Sequence, residues 1–495
     1  MLIAILCVPI GVAIAAALLP SRLAAPLSVL GSLVTLGLSI ALVVGFETGV
    51  PGLQNVVDES WIPGLGVRFQ LGVDGISLFL VVMTALLWAA SVAWSAWRLP
   101  DRPKNYFLML GIGEFAVMGA FLAQDLLLFV LFFDLMLVPF FFLVGSYGTG
   151  DRVRATIKMM VYTLVGSLLM LVAAIATAVL TAETTGELSF AMADLRGSVL
   201  PEGSQEWIFL FFAAAFLVKM PSFPLHGWMP DAYRAAPLPV LALLSGVLPK
   251  VAAYGFLRVA LPIFPDATVQ FQELILVLAL VSILYGSAMA FTQTNVRLVA
   301  GYSSIAQLGF ITLGIFSLSA DGANGAVLQI VNHGLVVAPV FLIVAILAER
   351  YGTDDLREMG GAAMRAPVLA MLFLIVTLAT LAMPGSANFI GEFYILNGLF
   401  DDNMAYAVIA MAGVAMAAFY ALRLYQKTMH NRLPKGVESR EMSLRDASVL
   451  VPLVLVIVGT ALYPTLILKR GEASVQDKLG AVTTAQEAGG LAVRP

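Results

Sequence analysis

A single cysteine, Cys7, and only three histidines occur among 495 residues. With one thiol there is no disulfide framework, no thiolate set for zinc and no ligand set for an iron–sulfur cluster, so this chain is expected to carry no metal of its own. Charge is also scarce. Asp, Glu, Lys and Arg make up 12% of the residues and the net charge is −4. No basic face is available to neutralise phosphates, which excludes nucleic acid as a partner. Apolar residues fill the chain instead, at 60% of the composition with a mean hydropathy of +0.95. A soluble domain is roughly half apolar and a quarter charged. The composition is that of a polytopic membrane protein whose solvent is the lipid bilayer.

Apolar stretches long enough to span, at about 20 residues each, lie near 2–20, 26–46, 74–97, 106–123, 125–147, 158–181, 207–230, 237–261, 272–291, 298–318, 324–348, 367–400, 404–425 and 447–468. They predict an all-α polytopic membrane protein of about 14 transmembrane helices. The opening MLIAILCVPIGVAIAAALLP has no basic flank and no small-residue cleavage pattern, so it is expected to be a retained first span. The stretch 367–400 is too long for one regular span. Its centre, MPGSANFIGE, supplies Pro384 and Gly385 as breakers, so it is expected to be one discontinuous helix.

A second Met-Pro break occurs five spans earlier, in LVKMPSFPLHGW. An odd displacement reverses orientation, so spans four to eight and nine to thirteen predict two inverted five-helix repeats, each with a discontinuous helix. The expected organisation is an N-terminal three-span region over 1–106, a first repeat over 107–261, a second over 272–425, a C-terminal span at 447–468 and a polar tail over 471–495. Loops after odd-numbered spans hold 18 Lys and Arg, against Arg68, Arg196 and Arg258 after even-numbered spans. Basic residues accumulate on the cytoplasmic side, which predicts that both termini face away from the cytoplasm. Trp94, Trp97, Trp207 and Trp228 fall near span ends and suit an interfacial belt.

Apart from the residues assigned to loops, two basic side chains, Lys219 and Lys250, fall deep in apolar stretches. A charge near the bilayer centre costs about 3 kcal/mol on insertion scales, so such residues mark functional sites with partners. Asp134 in FVLFFDLMLVPF, His333 in IVNHGLVVAPVF and Glu392 in NFIGEFYIL share that depth. Pro221 and Pro224 follow Lys219, and Pro249 precedes Lys250, so each lysine adjoins a break where water can enter. A lysine and a carboxylate at such a break can load and release a proton as a neighbouring charge moves. Histidine suits a relay near neutral pH, although a buried histidine also serves as a satisfied structural group. A static Asp134–Lys219 ion pair holding two helices is the other reading of that pair. Glu114 suits either proton loading or local pairing, and His226 suits capping.

At VKMPSFPLHGWMPDAY, followed by AAYGFLR, YSSIAQLGF, NHGLVVAPVF, ERYGTDDLREMGG and NFIGEFYIL, the chain resembles the antiporter-like family. Within it the resemblance is to the subunit M group of proton-pumping NADH:quinone oxidoreductase, respiratory complex I, and covers roughly 70–430. The resemblance implies a non-redox, proton-translocating subunit, multi-pass in the cell (inner) membrane, beside other membrane subunits of the complex, including neighbouring antiporter-like subunits. NADH, flavin, iron–sulfur clusters and quinone are then expected in partner subunits. The family's span-five acid falls on Asp134, its lysines of spans seven and eight on Lys219 and Lys250, its span-eleven histidine on His333 and its span-twelve acid on Glu392.

Three departures stand out. Asp134 replaces the usual Glu, which implies a looser or water-bridged pair with Lys219. Gln307 stands where some relatives have histidine, and glutamine holds water without titrating. Pro249 replaces a usual leucine. A subunit of a multi-chain sodium/proton antiporter shares the same ionisable skeleton and is the alternative reading, and an assembly scaffold locked by its buried charges is a third.

Overall fold

The computed structural model describes residues 1–488 except 198–199, 202, 401–402, 435–436 and 438–439. In hydrocarbon every backbone N–H and C=O must be satisfied within the chain, and helices do this locally. Among the described residues eleven helices are long and apolar enough to cross a membrane, and Leu2–Leu18 and Pro367–Thr380 are shorter apolar helices. The apolar stretches of Leu238–Ile263 and Val296–Phe316 are wholly buried and that of Ala320–Tyr351 is 94% buried, against 33% for Ser21–Val44, Met404–Met429 and Leu444–Leu462. Three central helices are therefore shielded by a lipid-facing ring. Those three carry Lys250, Gln307 and His333.

Prolines set the interruptions. Leu126–Leu135 gives way to Leu137–Tyr147 where Pro139 removes the donor that Leu135 would receive. Ser204–Lys219 stops before Pro221 and Pro224, and the chain resumes through the turn Leu225–Trp228 into Met229–Ala235. Leu238–Gly246 is offset from Leu248–Gly255 at Pro249. The expected break in 367–400 separates Pro367–Thr380 from Ala387–Phe400.

Ala387–Phe400 is held against Ala320–Tyr351 by glycines, which let backbones approach without side chains between them. A Cβ at Gly325 would lie 2.7 Å from the Ile395 nitrogen and 2.9 Å from the Gly391 oxygen. This close approach seats Glu392 beside the central helices.

Several expectations change. The fold is not wholly α: part of the outer loop over 47–73 forms an antiparallel hairpin of Gln54–Ile62 with Val67–Val73, turning at Gly66 with φ 65°. The hairpin is docked on helix ends, with the Gln124 N–H donating to Gln70 O at 2.9 Å and the Arg68 N–H to Asp125 Oδ2 at 3.0 Å. The expected polar tail is helical through Ala488, as part of Thr465–Ala488, and buries Gly471, Ser474, Val475, Leu479 and Val482. Arg258, assigned above to a loop, sits inside the buried Leu238–Ile263 stretch. Trp94 and Trp228 are 1% and 3% exposed and so lie in the core rather than in an interfacial belt, while Trp97 and Trp207 are each 37% exposed.

Gly325→Val is expected to force the two helices apart at a cost of about 1–3 kcal/mol. Thermal unfolding of the detergent-solubilised protein measures it, with Gly37→Ala, where nothing lies within 4 Å, as the unaffected control.

Candidate functional site

Lys219 is the last residue of its helix and is 3% exposed. Its ammonium donates to Phe133 O at 2.8 Å and lies 3.9 Å from the centroid of the Phe133 ring. Asp134, the next residue, is within range of the lysine's charge, but no direct ion pair joins them. Asp134 Oδ1 has no hydrogen-bond partner among the described residues. Around the break, the Trp228 indole donates to Val218 O at 2.9 Å and the Phe223 N–H to Ser282 Oγ at 3.0 Å. Backbone groups at the break are thus satisfied from neighbouring segments.

Lys250 is fully buried, and its ammonium donates to Ser245 O at 2.7 Å. That carbonyl lies four residues before Pro249, which has no N–H to offer it. The lysine supplies the donor that the proline withholds. Lys250 lies within electrostatic range of His333, which is 3% exposed and whose Nδ1 has no hydrogen-bond partner among the described residues.

Glu392, 3% exposed, accepts from Gln307 Nε2 at 2.8 Å, and Gln307 Oε1 accepts from Gln329 Nε2 at 2.6 Å. Tyr420 adjoins Gln307 and is in charge range of Glu392. A narrow cavity of about 20 Å³ is lined by Gln307, His333, Asn388 and Tyr420. This is room for about one water. Both polar atoms of Asn388 and the Tyr420 hydroxyl lack partners among the described residues and enrich the polarity there, and Gln329 Oε1 beside Gln307 is likewise without one.

The five expected site residues thus form three local groups: Asp134 with Lys219, Lys250 with His333, and Glu392 with Gln307. Glu114 lies apart from all of them. It lines a cavity of about 10 Å³ with Ser28, Ser32 and Gly111, against the first two helices. His226 contacts the Tyr285 hydroxyl at 3.3 Å. Reasoning from sequence missed Gln329, Asn388 and Tyr420, and it missed the buried pair of Arg258 with Asp74 at 2.7 Å. The signal for Arg258 was present, since it falls within the apolar stretch 237–261. Among the described residues no group of three or more His, Cys, Asp or Glu is arranged to hold a metal ion.

A family model described as NADH:quinone oxidoreductase/Mrp antiporter matches residues 123–419. NADH-quinone oxidoreductase subunit M of Rhodobacter capsulatus is 36% identical over 446 residues, covering 88% of this chain and 86% of that protein. The chain belongs to the subunit M family. The subunit M of Escherichia coli strain K12 is likewise 36% identical, over 90% of this chain and 91% of its own length. Among solved structures, respiratory complex I from Thermus thermophilus contains a chain that superposes with a TM-score of 0.89 at 30% identity, covering 97% of this chain and 100% of that one. The Mrp complex from Dietzia sp. DQ12-45-1b matches with a TM-score of 0.83 at 20% identity, over 98% of this chain and 97% of that one, a likeness of fold alone.

Gln307→Leu is expected to leave the buried Glu392 carboxyl without its donor and to cost about 1–3 kcal/mol. The unfolding midpoint of the solubilised protein measures this, and Gln307→His, which keeps a donor, should remain near the parent value.

Proposed function

We propose that this chain is the proton-translocating subunit M of an NADH:quinone oxidoreductase, and that it performs no redox step itself. The observation that carries this reading is that ionisable side chains lie buried in or beside the central helices, two of them lysines next to proline breaks. A single cysteine provides no ligand set for an iron–sulfur cluster, and in this reading the NADH, flavin, iron–sulfur and quinone chemistry belongs to partner subunits.

In this reading Asp134 and Lys219 form the loading switch. The lack of a direct ion pair between them supports it, because such a lysine can exchange its proton with a small movement of charge. Lys250 receives the proton, His333 relays it, and Glu392 holds it beside Gln307. A redox-driven signal shifts this line only by interacting unequally with its charge states.

The fourteen-span topology with two inverted repeats belongs to the same proposal. It is supported by the matching breaks after Lys219 and between Pro367–Thr380 and Ala387–Phe400. The basic loops, tied by Arg98 to Glu349 and Asp446 and by Arg297 to Asp354, then face the cytoplasm, with both termini on the opposite side.

Lys219→Ala is expected to lower NADH-driven proton uptake by assembled complex in proteoliposomes about tenfold or more. Unchanged protons per NADH in that variant overturns the assignment. Sodium-dependent proton flux without NADH would favour the antiporter alternative.

A further inference from the structure

Lys250, Tyr254 and Arg258 occupy successive turns of one helical stripe, each four residues from the last. The segment Phe256–Ala260 is a π-helix, a wider turn that keeps Arg258 in line with Tyr254 and that recurs at functional sites. At the end of the stripe, Arg258 Nη1 donates to Asp74 Oδ2 at 2.7 Å, with the two side chains 5% and 2% exposed. Asp74 is fixed by its other oxygen, which accepts from the Ile76 and Ser77 N–H groups at 3.1 and 2.9 Å.

Between Lys250 and this pair, the Tyr254 hydroxyl and Gln124 Oε1 each lack a hydrogen-bond partner among the described residues. The two side chains adjoin, and the hydroxyl is in charge range of both Arg258 and Asp74. Beyond the pair a cavity of about 400 Å³ is lined by Asp74, Gln124, Arg196, Arg258, Asp477 and Lys478. It lies on the face of the hairpin and the C-terminal helix, where Arg196 grips Asp477 with two bonds at 2.9 and 2.8 Å.

Unpartnered buried hydroxyl and amide oxygens are costly unless something else uses them. We propose that Tyr254, Gln124 and the Asp74–Arg258 pair form a proton outlet from Lys250 to the hairpin-side cavity. The Lys250 ammonium gives up its proton toward Tyr254. The hydroxyl accepts it on its oxygen while donating its own proton onward past Gln124, so tyrosine ends unchanged. Asp74 takes the proton in passing and releases it to the cavity, and its charge balance with Arg258 is restored. Lys250 is left neutral and is recharged from the Lys219 side.

This inference rests on the proton-translocating reading, so Lys219→Ala is included as a separate control. The test is the complete complex in proteoliposomes, carrying Tyr254→Phe or Gln124→Met, assayed for assembly, NADH-driven proton uptake and turnover in water and in deuterium oxide. The expected result is normal assembly, a fall in turnover of about tenfold or more, and a larger deuterium effect than in the parent. Gln124→Met decides the matter if Tyr254→Phe fails to assemble. Parent turnover and parent protons per NADH in the assembled variants overturn the outlet, and if Lys219→Ala is inactive in the same experiment the broader reading stands. A fall in turnover with an unaltered deuterium effect is a structural effect and also overturns it.

Discussion

The structure depends on one constraint: inside hydrocarbon no backbone carbonyl can be left for water to satisfy. A proline that breaks a helix withholds a donor, and side chains brought from nearby bond carbonyls at or beside such breaks. Lys250 bonds Ser245 O, the carbonyl that Pro249 cannot serve. The Trp228 indole bonds Val218 O beside the Pro221 and Pro224 break. Lys219 bonds Phe133 O next to the end of another broken helix. The same ammonium groups that such a subunit would protonate and deprotonate therefore also complete its backbone, so their movement and the shape of the helices are coupled.

That coupling gives the glycine contacts their purpose. A helix carrying a buried acid can sit against the central bundle only if its backbone comes close, and Gly325 against Gly391 and Ile395 provides that approach. Glu392 is then near enough for Gln307 to hold its carboxyl, and Gln307 in turn is held by Gln329. Packing and polarity are set by the same few positions.

Much of this was legible in the chain itself. The apolar runs, the two Met-Pro breaks, and the lysines and acids at depth follow from hydrocarbon thickness and the cost of buried charge. Arg258 was misassigned because a count of loop charges places any arginine near a span end in water, and its partner Asp74 lies 184 positions away in sequence. The hairpin was obscured because its first strand is largely exposed and the pair carries Asp58, Glu59 and Arg68, so neither strand reads as an apolar run. The C-terminal helix was taken for a solvated tail because its contacts run through small groups, such as the Ser474 hydroxyl bonding the Gly75 N–H at 3.0 Å, which hydropathy does not register. Asn388 and Tyr420 carry no charge and become visible only where a cavity gathers them.

Gln307 also bears on insulation. A membrane at 100 mV drives each proton with about 2.3 kcal/mol, so an unbroken wire of titrating groups would short-circuit it. An amide beside Glu392 holds geometry but cannot take up and pass on a proton as a histidine can. In the proposed proton path it would be a gap in the conductor, closed to leakage at rest and crossed only when the surrounding side chains and water realign.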